Sequence, residues 1–568
     1  MKNKLLAQAR GEEKADLVFK NGRIADVFNG KLVSDRVAVS EGVILGIGNY
    51  RGKEEIDLDG HILVPGFFDG HLHVESSLVS VGEFARQVIP LGTTSIYTDP
   101  HEIANVAGKE GIRYMLEEGR KYPWNFNLML PSCVPASPFE TPGAVLEVED
   151  LLEFYNEENV FGLGEVMNYP GVINGDEKIW AKLDAFAGMF KDGHAPGVTG
   201  MELNAYLLGD IKADHEVISA EEARQKVAAG MLVMVREASG AQNLREILRA
   251  LDAKNQDRFI LATDDRHPED LLNQGHINYL LELTVKENLD PLLALRLATL
   301  NPAIAFGVKD LGAIAPGYRA DLVVLEDLEK FRALEVYKDG KLVGKEGEAL
   351  FSAAKPLQNS RIRNSVNIGS LELERFKLPS GKRFRVIEMV PGQITTRYLI
   401  KELEVKEGQI ANIIEEGLVK LAVVERHHAS GNVGLGLLAG LGLKKGALAV
   451  SVAHDSHHVI VAGADDPSML RAVKEIEKMG GGVVLVADDQ VQASVPLPIA
   501  GLMSEEPIGQ VARQMAMLND KAEEMGIKLE NPTMALSFLA LPVIPELKLT
   551  DKGLFDSKKF QPVSLVVD

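Results

Sequence analysis

One cysteine, Cys133, is all that the 568 residues contain. No disulfide can close within the chain and no zinc site of the Cys-x-x-Cys kind can form, the cysteine usage expected of a cytoplasmic protein. The same scarcity excludes the deaminase chemistry that requires His-x-Glu together with Pro-Cys-x-x-Cys. Cysteine aside, positive charge is in deficit: 61 Lys and Arg against 82 Asp and Glu leave a formal net charge of −21. Nucleic-acid affinity comes largely from cations that neutralise phosphates, so this balance argues against a nucleic-acid partner and suits a small neutral substrate. Long apolar runs are missing as well. The N-terminal "MKNKLLAQARGEEKADLVF" lacks the apolar centre of a signal peptide, and no later stretch reaches the roughly 20 residues needed to span a bilayer. A soluble, unprocessed protein with no membrane partner is expected. Two motifs also fail on inspection. "GNVGLGLLAGLG" does not follow the G-x-G-x-x-G order of a dinucleotide loop, and "HEIAN" from His101 carries Asn105 where a zincin helix needs its second histidine.

What is present is the balance of a soluble globular chain, 46% hydrophobic and 25% charged residues, and a length that calls for two or three domains. Short alternating strands with Asn21-Gly22 at a tight turn occupy roughly 16–64, and a second β-like stretch, "ADLVVLEDLEKFRALEVYKDGKLVGKEG", turns at Asp339-Gly340. The two can pair although they are far apart in sequence. Between them, apolar runs such as "TTSIYTD", "VFGLGEV" and "RFILATDD" alternate with amphipathic segments such as "VGEFARQVI". That alternation indicates parallel α/β structure, and 65–310 fills the length of about 250 residues typical of a (β/α)8 barrel. The predicted division is a small β domain from 1–64 and 311–360, a barrel over 65–310, the polar linker "SAAKPLQNSRIRNSVNIGS", and a C-terminal α/β domain over 365–568.

The chemistry concentrates on "LVPGFFDGHLHVESS", where His71 and His73 end an apolar run. On a strand, side chains at i and i+2 share a face, so two imidazoles can address one metal. A bare His-x-His pair fits structural histidines equally well. Further along stand Glu165 in "GLGEVMN", His194 in "DGHAPG", His215 in "KADHEVIS" and Asp264 in "LATDDRHP", each at or just past a strand-like run. A barrel gathers such positions at one mouth, and six N and O donors suit two divalent metals such as Mn, Fe or Zn.

On these residues the chain resembles the amidohydrolase superfamily, whose members have a distorted (β/α)8 TIM-type barrel and a small β-sandwich domain built from both flanks. Their metal-binding His-x-His lies on the first strand, further His ligands on the fifth and sixth, and an Asp after the eighth. His71, His73, His194, His215 and Asp264 follow that order, and "APGYRADLVVLE" resembles the return to the small β domain. Within the superfamily, "FFDGHLHVESS", "TDPHEIANV", "GLGEVMN", "GHAPG", "ADHE", "ERHHASGN", "VAHDSHH" and "LSFLALPVIPELKLTDKGLFD" resemble the bacterial adenine deaminases over nearly the whole length. The resemblance implies a Glu, here Glu165, where many relatives use a carboxylated Lys, acting as bridging ligand or proton shuttle. It further implies two divalent metals, Mn or Fe, that activate water for attack at C6 of adenine, yielding hypoxanthine and ammonia. Asp264 would accept the water's proton and Glu165 would protonate N1. Guanine, cytosine or a hydantoin-like ring over the same metals is the alternative, and a scaffold without catalysis is a further one. A homodimer or larger homo-oligomer is the general expectation for a soluble enzyme.

Several residues carry two readings. Asp99 and His101 in "YTDPHE" either orient the base or a metal ligand, or merely cap a loop; Asp265 is an N-cap or a second polar contact. His454, Asp455, His457 and His458 in "VAHDSHHV", with Glu425, His427 and His428 in "ERHHASGN", form either an active-site lid or extra metal site, or a solvated interdomain loop. Cys133 in "PSCVPASP" is expected to be a small buried or loop residue.

Overall fold

The computed structural model describes residues 2–390, 393–410 and 412–567. Eight parallel strands run in order around a barrel: Phe67–Leu72 (β1), Thr93–Thr98 (β2), Asn125–Leu130 (β3), Val160–Val166 (β4), Phe190–Gly193 (β5), Ala213–Asp214 (β6), Leu232–Arg236 (β7) and Phe259–Ala262 (β8). Several are buried along their full length, as strands must be when helices cover the outside and side chains fill the inside. Phe68, Tyr97, Met129, Leu232, Met234 and Ile260 pack together with Phe306 in one apolar cluster, where Tyr97 and Phe306 stack with ring centroids 3.5 Å apart. The barrel is therefore a packed core with chemistry confined to its C-terminal rim.

Closure of the barrel sets part of that chemistry. The amide of Asp264, just past β8, donates to the carbonyl of His71 at 3.0 Å. One residue earlier, the Thr263 amide donates to Asp69 Oδ1 at 3.1 Å, and His276 Nε2 lies 3.1 Å from Asp69 Oδ2. Asp264 has φ +57, in the left-handed region that Asp tolerates better than most residues. The chain turns sharply there and presents the Asp264 carboxylate to the histidines of β1.

The flanks do pair. Leu322–Leu325 runs antiparallel to Ile62–Pro65, Leu322 opposite Pro65, within a seven-stranded sheet that also takes Arg23–Asp26. A four-stranded sheet of Ala15–Lys20, Val37–Ser40, Val43–Ile47 and Gly52–Asp57 packs on it through Phe19, Val39, Ile44, Leu63, Leu322 and Tyr337. Asp339 and Gly340 close a hairpin with φ +49 and +73, as a primed turn requires. Asn21 is also left-handed, yet the strands on either side of Asn21-Gly22 belong to different sheets, so this turn carries the chain across the sandwich rather than closing a hairpin.

The linker is pinned to the barrel: the Leu357 amide donates to Glu118 Oε1 at 2.7 Å and the Ala354 amide to the Tyr122 hydroxyl at 3.2 Å. Beyond it stands an eight-stranded sheet, antiparallel except where Arg383–Met389 meets Val433–Ala439. Within the glycine-rich "GNVGLGLLAGLG", Val433–Ala439 is one of its strands, and Gly434 lies so close to the Thr550 carbonyl that a Cβ would sit 1.9 Å from the oxygen. Close backbone approach, not nucleotide binding, accounts for that glycine. Among the described residues no helix is long and apolar enough to cross a membrane.

Candidate metal centre

The ends of β1, β4, β5, β6 and β8 converge on Glu165. Its Oε1 lies 3.1 Å from His71 Nε2 and 2.7 Å from His73 Nε2, and Asp264 Oδ1 completes the group at 3.3 Å from His73 Nε2. The other oxygen, Oε2, lies 3.1 Å from His194 Nδ1, which is 3.3 Å from His215 Nε2. Two donor sets thus share one carboxylate, His71, His73, Glu165 and Asp264 on one side and Glu165, His194 and His215 on the other. All six are buried except His194, whose side chain is 28% exposed and marks the open edge of the mouth.

The hydrogen bonds behind the imidazoles decide what these donor sets can hold. His73 Nδ1 is 2.8 Å from the Asp99 carbonyl, which can only accept. Asp192 Oδ2 lies 2.8 Å from His71 Nδ1 and 3.2 Å from His215 Nδ1. These partners keep the proton on Nδ1 and leave each Nε2 lone pair facing the centre, the arrangement found behind metal-ligating histidines. The His71 and His73 Nε2 atoms are 3.1 Å apart, so two lone pairs and two carboxylates meet where only positive charge relieves them. The same field acts on protons: burial opposes charging of His71, yet hydrogen bonds to Asp192 and Glu165 outweigh it and push its pKa up to about 10. Burial would likewise raise Glu165 and Asp264, but the surrounding histidines, with Arg236 beside Asp264, hold both well below the usual carboxylate range. Imidazole and carboxylate donors in this combination fit divalent Mn, Fe or Zn.

Asp99 follows β2 with both carboxylate oxygens buried and without hydrogen-bond partners, so it caps no loop. Burial pushes its pKa up to about 6. Gly164 makes room for it, since a Cβ there would lie 2.1 Å from Asp99 Oδ2. His101 Nδ1 sits 3.7 Å from Glu165 Oε1. Asp265 caps no helix either: the next helix, Pro268–Asn273, has His267 at its N-cap, and Asp265 accepts from the Ser76 hydroxyl. Arg236 on β7 reaches Asp264 Oδ2 at 2.9 Å and also contacts Glu216.

A roof comes from the C-terminal domain. His454, Asp455 and His457 are buried, not solvated, because the 453–458 turn presses on the barrel mouth. Glu102 Oε1 lies 2.8 Å from His454 Nδ1, its other oxygen contacts His457 Nε2, and His101 Nε2 is 3.4 Å away. The His454 ring stacks on Phe538 at 4.6 Å. Around this contact, Thr141 donates through N and Oγ1 to Asp551 at 2.9 and 2.6 Å, and the Ser504 amide donates to the Leu78 carbonyl at 2.8 Å. Glu425 instead accepts from the His428 and Ser430 amides and shapes its own turn. Cys133 is buried beside Ser132, its Sγ 3.3 Å from the hydroxyl oxygen.

Residues 62–343 match the family model of the amidohydrolase family, and residues 393–561 that of the adenine deaminase C-terminal domain. The chain is 48% identical over 571 residues to an adenine deaminase of Petrotoga mobilis, covering 100% of both chains. It is 48% identical to adenine deaminase 2 of Carboxydothermus hydrogenoformans, and 43% identical to an adenine deaminase of Clostridium acetobutylicum, over 99% and 98% of each chain. The chain belongs to the adenine deaminase family. In this adenine deaminase family member the structure brings together all six residues expected from the sequence as ligands and sets Asp99, His101 and the roof beside them. Arg236 and Glu102 join them without a sequence pattern that singles them out, and Asp192 with a single faint one: it stands two residues before His194, a spacing like that of His71 and His73.

The Glu102 contact makes the roof sensitive to pH. Burial opposes charging of His454, but Glu102 outweighs it and raises the pKa from 6.5 to about 9. A raised histidine pKa contributes stability that is complete below the unfolded value and lost as pH rises through the folded one. The thermal midpoint of the wild type should therefore fall relative to that of His454→Gln as pH goes from 6.5 to 9. Parallel pH profiles of the two proteins would contradict the pairing.

Proposed function

We propose that this protein hydrolyses adenine to hypoxanthine and ammonia with two divalent cations, Mn or Fe, held by His71, His73, Glu165, His194, His215 and Asp264. The observation that carries the reading is the pair of donor sets joined through Glu165, in a chain whose full-length relatives are named adenine deaminases. When bound, such cations act as Lewis acids that make water nucleophilic near neutral pH.

The chain's own groups account for the protons. Asp264 stays ionised between His73 and Arg236 and accepts a proton as water's oxygen bonds to C6. Glu165 has both oxygens committed to the donor sets and its pKa held low, so it serves as the bridge and not as the acid at N1. Asp99 suits that second task, because its buried carboxyl stands free of hydrogen-bond partners beside the centre and burial raises its pKa. Asp264 then passes its proton to N6, the C6–N6 bond breaks, ammonia leaves, and the C6 hydroxyl proton returns to Asp99.

Asp455 roofs the same space with one oxygen unpartnered and its pKa raised by burial, and serves as a purine-edge contact. The His454 and His457 cluster acts as a latch rather than a third metal site. The Ala453 amide donates to His457 Nδ1 at 3.2 Å, which fixes that nitrogen as the acceptor and leaves the proton on the Nε2 facing Glu102. Ammonia release from adenine, guanine and cytosine, with ring opening followed for hydantoin, which carries no amino group to lose, tests the substrate assignment. Adenine should exceed the others by at least about ten-thousandfold in kcat/KM, the scale on which a site built to hydrogen-bond its substrate discriminates; a preference for another ring would overturn the assignment while leaving the metal centre intact.

A further inference from the structure

Asp192 lies on β5, held in register by its pairing with Ala213 of β6. Its Oδ2 is shared by His71 Nδ1 at 2.8 Å and His215 Nδ1 at 3.2 Å, while Oδ1 is buried with no hydrogen-bond partner. Three donors stand close enough here to suggest another cation. Such a cation would require both imidazoles to lose their remaining proton and bridge through both nitrogens, since each Nε2 already faces Glu165. Hydrogen bonding from two Nδ1–H groups to one acceptor explains the distances without that cost.

The two histidines belong to different halves of the centre, His71 to the set with His73 and Asp264, His215 to the set with His194. Their rings stack with centroids 3.8 Å apart and planes 11° from parallel. Rotating either ring away from its cation position breaks the stack and withdraws a donor from the shared oxygen. His194, by contrast, makes no hydrogen bond to Asp192 among the described residues.

We infer that Asp192 is a positioning residue that locks His71 and His215 into one unit, so that the two halves of the centre are organised together and fill together. The inference rests on the reading of these histidines as ligands to two cations. It assigns Asp192 no contact with substrate.

Titrating metal-stripped full-length protein with Co2+, read by visible absorption and by cations retained per chain, tests it. The wild type should take up two cations, and Asp192→Ala should weaken both binding events by about 10- to 100-fold, the usual effect of removing a hydrogen-bond partner behind a metal ligand. Asp192→Asn, which preserves shape and one acceptor oxygen, should weaken both by less and decides the matter if the alanine variant does not fold. His194→Ala, which removes a ligand outside the unit, should weaken one event and spare the other. Wild-type affinity and an unchanged Co2+ spectrum in Asp192→Asn, with or without a folded alanine variant, would overturn the inference, as would weakening confined to one event. A wild type that takes up no cation would overturn the metal-centre reading beneath it, and that failure is distinguishable because it appears without any substitution.

Discussion

Glu165→Gln is expected to lower turnover of adenine by at least about a thousandfold, equivalent to about 4 kcal/mol of transition-state stabilisation, and to lose bound metal. An amide offers one acceptor oxygen where the centre uses two, since Oε1 faces His71 and His73 while Oε2 faces His194. Whichever way the amide turns, an NH2 group points at an imidazole nitrogen whose lone pair would serve a cation. The charge change acts in the same direction, because the histidines hold Glu165 ionised against its burial. kcat and metal content measured on one preparation check this; full metal content with turnover within about tenfold of wild type would remove Glu165 from its bridging place.

Asp264→Asn should separate chemistry from binding. The amide retains an oxygen that can face His73 Nε2, 3.3 Å from Asp264 Oδ1 in the structure, so cation loss should be partial. It cannot accept a proton, and it leaves Arg236 without the charged partner now 2.9 Å away. The expected result is a fall in kcat of about a thousandfold, within the range associated with loss of a positioned base together with a charge partner, at a KM changed much less. Steady-state kinetics on metal-saturated variant protein measure it. A change confined to KM would make Asp264 a binding residue and send the water's proton elsewhere.

Much of this centre was legible because barrels concentrate chemistry at strand ends, and the strands that carry His71, Glu165 and Asp264 are apolar enough to be recognised, as "VFGLGEV" and "RFILA" show. β5 reads "FKDG" and β6 is only Ala213–Asp214, so neither looks like a buried strand. On those two strands functional polar residues replace the apolar pattern, which is why Asp192 escaped notice although His194 and His215 did not. Glu102 was hidden for another reason. Within "HEIAN" it reads as a helix residue, and its partners His454 and His457 lie some 350 positions away. Burial of the 453–458 turn has the same origin: a dense polar group is tolerated inside only when another domain supplies partners, and no local pattern announces them. Of the two readings of Asp265, the cap fails because the helix that follows starts two residues later than an N-cap there requires, and the polar contact, to Ser76, is the one the structure shows.

The most direct measurement is conversion of adenine by metal-stripped protein as Mn2+ is restored, with hypoxanthine and ammonia followed together and bound metal counted per chain. The account predicts no turnover without metal, equal yields of the two products, and activity that saturates as two cations bind each chain. Turnover that persists in the stripped protein, or saturates with a single cation, would contradict a centre built from two donor sets joined through Glu165.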